Sequence, residues 1–166
     1  MPEQVVELTV TVNGREYTRA VEARMHLADF LREELGLAAT HIGCEQGVCG
    51  NCTVLVEGEA VKSCLMLAPQ VDGLEVTTVE GLSPESGLND LQQAFKDAHA
   101  LQCGFCTPGF LMTATALKAT GRRFVNREEI RDELAGVICR CTGYEHVVTA
   151  VERYLAGRPG DGDGDE

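Results

Sequence analysis

Eight cysteines in two sets of four constrain this 166-residue chain more than any other feature. The first set reads Cys44-x4-Cys49-x2-Cys52-x11-Cys64, and the second reads Cys103-x2-Cys106 followed at long range by Cys139-x-Cys141. Four thiolates per site is the number required by a [2Fe–2S] cluster and by a structural zinc ion. The opening C-x4-C-x2-C…C spacing is that of plant-type ferredoxins. A zinc knuckle commonly divides its ligands two and two, whereas here three fall in one turn and the fourth comes from a later segment. Two such sites in one small chain point to an electron relay.

Composition narrows the setting. Five Phe, three Tyr and no Trp give a half-length domain few large apolar side chains, so metal binding is expected to supply part of the folding free energy. A net charge of −12 argues against nucleic acid and anionic membranes as partners. The N-terminus has no basic and apolar leader, and no 18-residue apolar run is present to span a membrane. The expected compartment is therefore reducing and cytoplasmic, where clustered cysteines bind metal or do redox work. A disulfide framework is the competing reading of an even cysteine count.

Residues 5–12 and 16–22 are β-rich runs flanking Asn13-Gly14, a strong hairpin signal. Residues 26–37 carry Leu27, Phe30, Leu31 and Leu35 at helical spacing and stop at Gly36. After the Gly-rich stretch 42–50 come a strand at 53–56, a turn at Glu57-Gly58, a strand ending near Cys64 and a last β segment at 74–79. This is an α+β order that suits a β-grasp ferredoxin over residues 1–80. Gly, Ser and Pro at 81–87 mark a linker. The remainder, 88–157, is helical: one helix over 88–99, one opened by Thr107 as N-cap with Pro108 behind it, and two behind the capping boxes Asn126-x-x-Glu129 and Thr142-x-x-Glu145. The Gly/Asp tail 158–166 has nothing apolar to bury and is expected to be disordered.

The first set of cysteines is interleaved with Gly43, Gly47 and Gly50, which let backbone N–H groups approach anionic sulfur closely. In the second, Cys103-Gly104-Phe105-Cys106 resembles a thioredoxin-like C-x-x-C, but the βαβ context of such a catalyst is missing. Each cysteine pair instead stands before an expected helix, so positive helix ends would face an anionic cluster.

Three blocks together carry a family resemblance: Gly43-Cys44-Glu45-Gln46-Gly47-Val48-Cys49-Gly50-Asn51-Cys52-Thr53, Gln102-Cys103-Gly104-Phe105-Cys106-Thr107-Pro108-Gly109 and Cys139-Arg140-Cys141-Thr142-Gly143-Tyr144. In this order they resemble the iron–sulfur subunit of molybdenum hydroxylases, the xanthine dehydrogenase, aldehyde oxidoreductase and carbon monoxide dehydrogenase family. The resemblance implies a plant-type ferredoxin-like domain followed by a four-helix-bundle domain, each with one [2Fe–2S] cluster on its four cysteines. It also implies a large subunit with molybdopterin beside the second cluster, a medium subunit with FAD nearer the first, and a dimer of heterotrimers. By the same resemblance Gln102 bonds the pterin and the Cys141 sulfur approaches its amine. Gln102 could equally make only a local helix-end hydrogen bond.

Two departures stand near the sites. Val137-Ile138 precedes the third block where Asn-Leu is frequent in the family, and Asn51 stands where many members carry Ala; each could shift a reduction potential. His26, His41, His99 and His146 show no paired ligand spacing; His41 alone is close enough to the first loop to suggest a Rieske-like ligand, but four cysteines already complete that site, leaving it a surface or capping role. Arg140 would offset cluster charge, and Phe105, Phe110, Val137 and Ile138 are expected to present apolar surface to a partner. An electron-transfer subunit of a heteromeric hydroxylase, with no catalytic residue of its own, is the leading reading. A free-standing two-cluster ferredoxin and a zinc-stabilised adaptor are the alternatives.

Overall fold

The computed structural model describes residues 4–157, so the tail 158–166 lies outside the described residues. Strand β1 (Val5–Val12) and β2 (Arg15–Glu22) pair antiparallel from Val5 opposite Glu22 to Val12 opposite Arg15. Asn13 and Gly14 both have positive φ, as a two-residue turn of the hairpin hand requires. Glu57 and Gly58 repeat the device between β3 (Thr53–Val56) and β4 (Glu59–Lys62). Strand β5 (Glu75–Thr77) runs parallel to β1 and antiparallel to β3, giving a mixed sheet in the order β2-β1-β5-β3-β4.

The sheet buries Leu8, Val10 and Val12 at alternate positions of β1 against Leu27, Phe30 and Leu31. The segment expected to be a helix over 26–37 is shorter and wider. A single α-turn, α1 (Leu27–Asp29), runs into a π-turn over Phe30–Glu34, and Leu35 N–H reaches back five residues to Phe30 O at 3.2 Å. Gly36 then ends it with positive φ, and the Arg32 guanidinium donates to the carbonyls of Ala38 and Thr40 at 2.6 and 2.9 Å. Apolar spacing placed the right side chains inward; it carries no signal for the extra residue in the turn.

A second core forms from α2 (Asp90–Asp97), α3 (Thr107–Ala119), α4 (Arg127–Leu134) and α5 (Glu145–Leu155) around Leu91, Phe95, Phe110, Leu134, Val147 and Val151. Phe110 is fully buried, and truncating such a side chain costs about 3–5 kcal/mol. The chain is therefore α+β. Val79 and Leu82, on the 3₁₀ turn Val79–Leu82, pack against this second core, which ties the start of the connection down.

Helix starts depart from expectation in instructive ways. Helix α2 is capped by an Asn89–Gln92 box, with Gln92 N–H donating to Asn89 Oδ1 at 2.8 Å, although the sequence reading began it at Leu88. At α3 the N-cap is Cys106, so Thr107 sits inside the helix and caps nothing. Asn126 does cap α4, accepting from Glu129 N–H at 3.0 Å, while the Glu129 carboxylate turns back to Val125 N–H. Helix α5 is entered through left-handed Gly143 and Tyr144 with no side-chain cap; Thr142 is recruited elsewhere.

Candidate metal centres

All eight cysteines are free thiols, and they meet in pairs. In the first set Cys44 faces Cys49 and Cys52 faces Cys64. In the second Cys106 faces Cys139, and the Cys141 thiol lies 3.5 Å from Cys103 Sγ. Each of these contacts falls within one set. Among the described residues no three His, Cys, Asp or Glu side chains converge as the ligands of one ion would. Two thiols for each of two metal atoms is what this pairing offers, as a two-iron cluster needs.

The loop fixes the first site through its amides. Cys44 Sγ accepts from the N–H groups of Gln46 and Cys49, both at 3.4 Å, and these donors bring the Cys44 thiol down to about 7. Glu45 and Gly47 have positive φ, which turns successive N–H groups inward. Burial raises Cys49, and burial with the Cys52 thiol pushes Cys64 up to about 11. Cys64 arrives on the 3₁₀ turn Ser63–Leu65 after β4, anchored by the Ser63 hydroxyl donating to Cys52 O at 2.7 Å.

The second site has one sheltered and one open pair. Cys106 and Cys139 are buried, and burial with the neighbouring Cys139 pushes Cys106 up to about 12. Burial would raise Cys139 too, but the Thr142 hydroxyl at 3.1 Å, the Thr142 N–H at 3.4 Å and the Cys106 thiol together hold it below the ordinary thiol value. The Thr142 hydroxyl also accepts from Tyr144 N–H at 3.2 Å, so it serves the cysteine and the turn before α5 rather than the first-turn amides of the helix. The Tyr144 hydroxyl accepts from Cys139 N–H at 2.9 Å, which fixes the loop. Cys103 and Cys141 are exposed; the Phe105 N–H and the Cys141 thiol lower Cys103, and the Cys103 neighbour raises Cys141. Only Cys106 touches a helix start, because Cys139 and Cys141 precede α5 by a left-handed turn.

The two loops abut. Ile138 N–H, next to Cys139, donates to Cys49 O at 2.8 Å, and Lys62 Nζ on β4 donates to Gly136 O at 3.1 Å. Gly50 permits this approach: its φ is +70°, and a Cβ there would lie 2.9 Å from the Gly136 carbonyl carbon and closer still to the oxygen. Gly50 was expected to open space for sulfur; the structure gives it a task between the two loops. The Phe105 ring lies 4.8 Å from the His41 ring at 14°, and His41 Nδ1 is 2.8 Å from Phe105 O. His41 therefore joins the loops. Nothing in its spacing signalled this, and Lys62 and the Ile138 amide were equally silent in sequence.

Gln102 is exposed, and its side chain makes no hydrogen bond among the described residues. Arg140 is exposed and without an ion pair there. Of the four apolar residues expected at the surface, Phe105 and Ile138 are 42% and 47% exposed. Phe110 and Val137 belong instead to the second core, because α3 turns the first inward and Val137 packs behind Cys139.

Two family models match in sequence order: a 2Fe-2S iron–sulfur cluster binding domain over residues 10–83 and a [2Fe-2S] binding domain over residues 78–152. The nicotine 6-hydroxylase small subunit of Paenarthrobacter nicotinovorans is 53% identical, covering 90% of each chain. The caffeine dehydrogenase subunit gamma of Pseudomonas sp. (strain CBB1) is 51% identical over 87% of this chain and 88% of its own. The chain belongs to the small iron–sulfur subunits of the molybdenum hydroxylases. A chain in the crystal structure of quinoline 2-oxidoreductase from Pseudomonas putida 86 superposes on this small subunit with a TM-score of 0.88 at 49% identity, covering 93% of this chain and 95% of that one. Like its relatives, the small subunit carries two [2Fe–2S] clusters and transfers electrons within a complex with larger subunits. No helix among its described residues is long and apolar enough to cross a membrane.

Proposed function

We propose that Cys44, Cys49, Cys52 and Cys64 hold one cluster and that Cys103, Cys106, Cys139 and Cys141 hold the other. The observation that carries this is the two-by-two pairing of thiols within each set. A polar atom beside the second set also fits an anionic group: the Thr107 hydroxyl, adjacent to Cys106, is buried without a partner among the described residues. A hydroxyl so placed can donate to sulfur. We read residues 1–80 as the ferredoxin-type domain, 81–87 as the linker and 88–157 as a four-helix bundle, in keeping with the two separate cores.

When bound, [2Fe–2S] clusters supply one-electron redox chemistry. The chain keeps water from the inner thiols by burying Cys52, Cys64, Cys106 and Cys139. It holds the two sites one hydrogen bond apart, through Ile138 N–H and Cys49 O. It leaves Cys103, Cys141 and Gln102 exposed on one side, which suits a pterin held by the large subunit; there Gln102 would bond the pterin edge and Cys141 approach its amine. Electrons then enter through the helical domain and leave through the ferredoxin-type domain towards FAD on the medium subunit. We assign the assembly as a dimer of heterotrimers in the cytoplasm, a reducing compartment where clustered cysteines serve as metal ligands. Relatives named for nicotine and caffeine favour an N-heteroaromatic substrate, selected by the large subunit.

Iron analysis and low-temperature electron paramagnetic resonance of the dithionite-reduced complex test this reading. About four iron atoms per small subunit and two signals, each integrating to one spin, are expected. Cys44→Ser and Cys103→Ser should each alter a different signal. One signal, or both variants altering the same one, would overturn the ligand assignment.

A further inference from the structure

Asn51 is buried to 6% exposure, yet its Oδ1 has no hydrogen-bond partner among the described residues. A buried carboxamide left in this state costs free energy and calls for a compensating role. Its surroundings supply one. A Cβ added to Gly43 would lie 3.1 Å from Asn51 Nδ2, 3.1 Å from Cys49 Sγ and 3.3 Å from Phe105 Cε1. The amide nitrogen, the thiol sulfur and the edge of the phenyl ring therefore crowd the same side of one glycine. On the other side, Asn51 Cα lies 3.1 Å from where a Gly109 Cβ would sit, so the backbone is clamped against α3. The side chain is buried, and its amide nitrogen and the Cys49 sulfur both border the small space beside Gly43.

We propose that Asn51 is a tuning residue for the first cluster: its buried amide N–H supplies a donor to the sulfur around Cys49 and raises that cluster's reduction potential. This rests on the cluster assignment above. Reduction adds one electron and no proton, so the cluster and its thiolates become more negative. A fixed N–H donor therefore stabilises the reduced form more than the oxidised one. Asn51 and Cys49 are both buried, so the donor acts in a site of lowered dielectric where its effect is larger than in water. The orientation also explains the orphaned oxygen: turning the amide over would aim Oδ1 at anionic sulfur.

The test is potentiometric titration of the intact complex, followed by electron paramagnetic resonance, for the wild type, Asn51→Ala and Asn51→Leu. The signal of the first cluster is the one altered by Cys44→Ser. Both Asn51 variants should lower its reduced-to-oxidised ratio at a given ambient potential about tenfold, equivalent to about 59 mV for one electron. The second signal should shift by less than about half that on a millivolt scale. Leucine refills the space without a donor, so a normal potential in Asn51→Leu with a lowered one in Asn51→Ala would overturn the proposal in favour of packing. Unchanged potentials in both would also overturn it, while two intact signals would leave the cluster assignment standing. Absence of a first-cluster signal in the wild type would overturn both.

Discussion

Gly50→Ala tests whether the contact between the two loops is a working part of the protein. Gly50 has φ +70°, and an L-residue held there costs about 1–2 kcal/mol. The new methyl would also sit 2.9 Å from the Gly136 carbonyl carbon, a backbone atom that cannot rotate aside. The 136–139 segment must then move by on the order of 1 Å, since ordinary carbon contacts lie near 3.5–4.0 Å. That movement strains two hydrogen bonds, Ile138 N–H to Cys49 O and Lys62 Nζ to Gly136 O, each worth about 0.5–1.5 kcal/mol. A total cost of about 3 kcal/mol is expected, and a fall in melting temperature of roughly 6–12 °C. Gly58→Ala is the control: φ there is +83° and nothing lies within 4 Å, so only the backbone cost remains. Gly50→Ala should also weaken the magnetic coupling between the reduced clusters, which Gly58→Ala should leave alone. Equal melting shifts in the two variants, with coupling unchanged in both, would refute the reasoning.

Three further outcomes are expected. In Gln102→Ala both clusters should assemble normally while electron transfer from the molybdenum subunit slows, with a cost of roughly 1–3 kcal/mol for one buried interface hydrogen bond; unchanged turnover and unchanged complex stability would return Gln102 to a surface role. In the cluster-free protein at neutral pH, mass spectrometry after brief alkylation should find Cys44 modified first, its thiol lying at about 7, and Cys106 last, burial holding it at about 12; the reverse order would contradict the loop geometry. Arg127, with Arg131, holds the Glu145 carboxyl below its ordinary value, so this ion-pair stabilisation is complete above the unfolded carboxylate range and disappears as pH falls through the lowered folded value. Melting curves of the wild type and Glu145→Gln should therefore differ near neutrality and converge in acid, and a gap that persists into strong acid would exclude this origin.

Local chemistry was written plainly along the chain. Asn13-Gly14 and Glu57-Gly58 turn as hairpins because those residues tolerate positive φ, and the alternation in residues 5–12 names the buried face of β1. Cysteine spacing alone separates two sites, because ligands close in sequence can only share one turn. Capping was legible where the side chain had no rival use, as at Asn126, and misleading where it had one. Thr142 sits three residues before a glutamate but turns its amide to Cys139 and its hydroxyl to Cys139 and the Tyr144 N–H. Thr107 precedes Pro108 but lies within the helix, because Cys106 takes the cap position.

Pairing of the thiols and contact between the loops were decided by tertiary structure. No spacing rule joins Cys103 to Cys141 rather than to Cys139; that follows from where α3 and the 136–142 loop come to rest. Phe110 and Val137 look as available to a partner as Phe105 and Ile138 until the second core forms around the first two. Gly50, His41, Lys62 and the Ile138 amide gain their roles only because the sheet and the helices meet at this one place. By itself the sequence determined the two sets of cysteines, the order of strands before helices and the family. Folding determined how near the two sites lie and which thiols stay open, because those depend on backbone atoms and on contacts between residues dozens of positions apart, which leave no periodic or local trace.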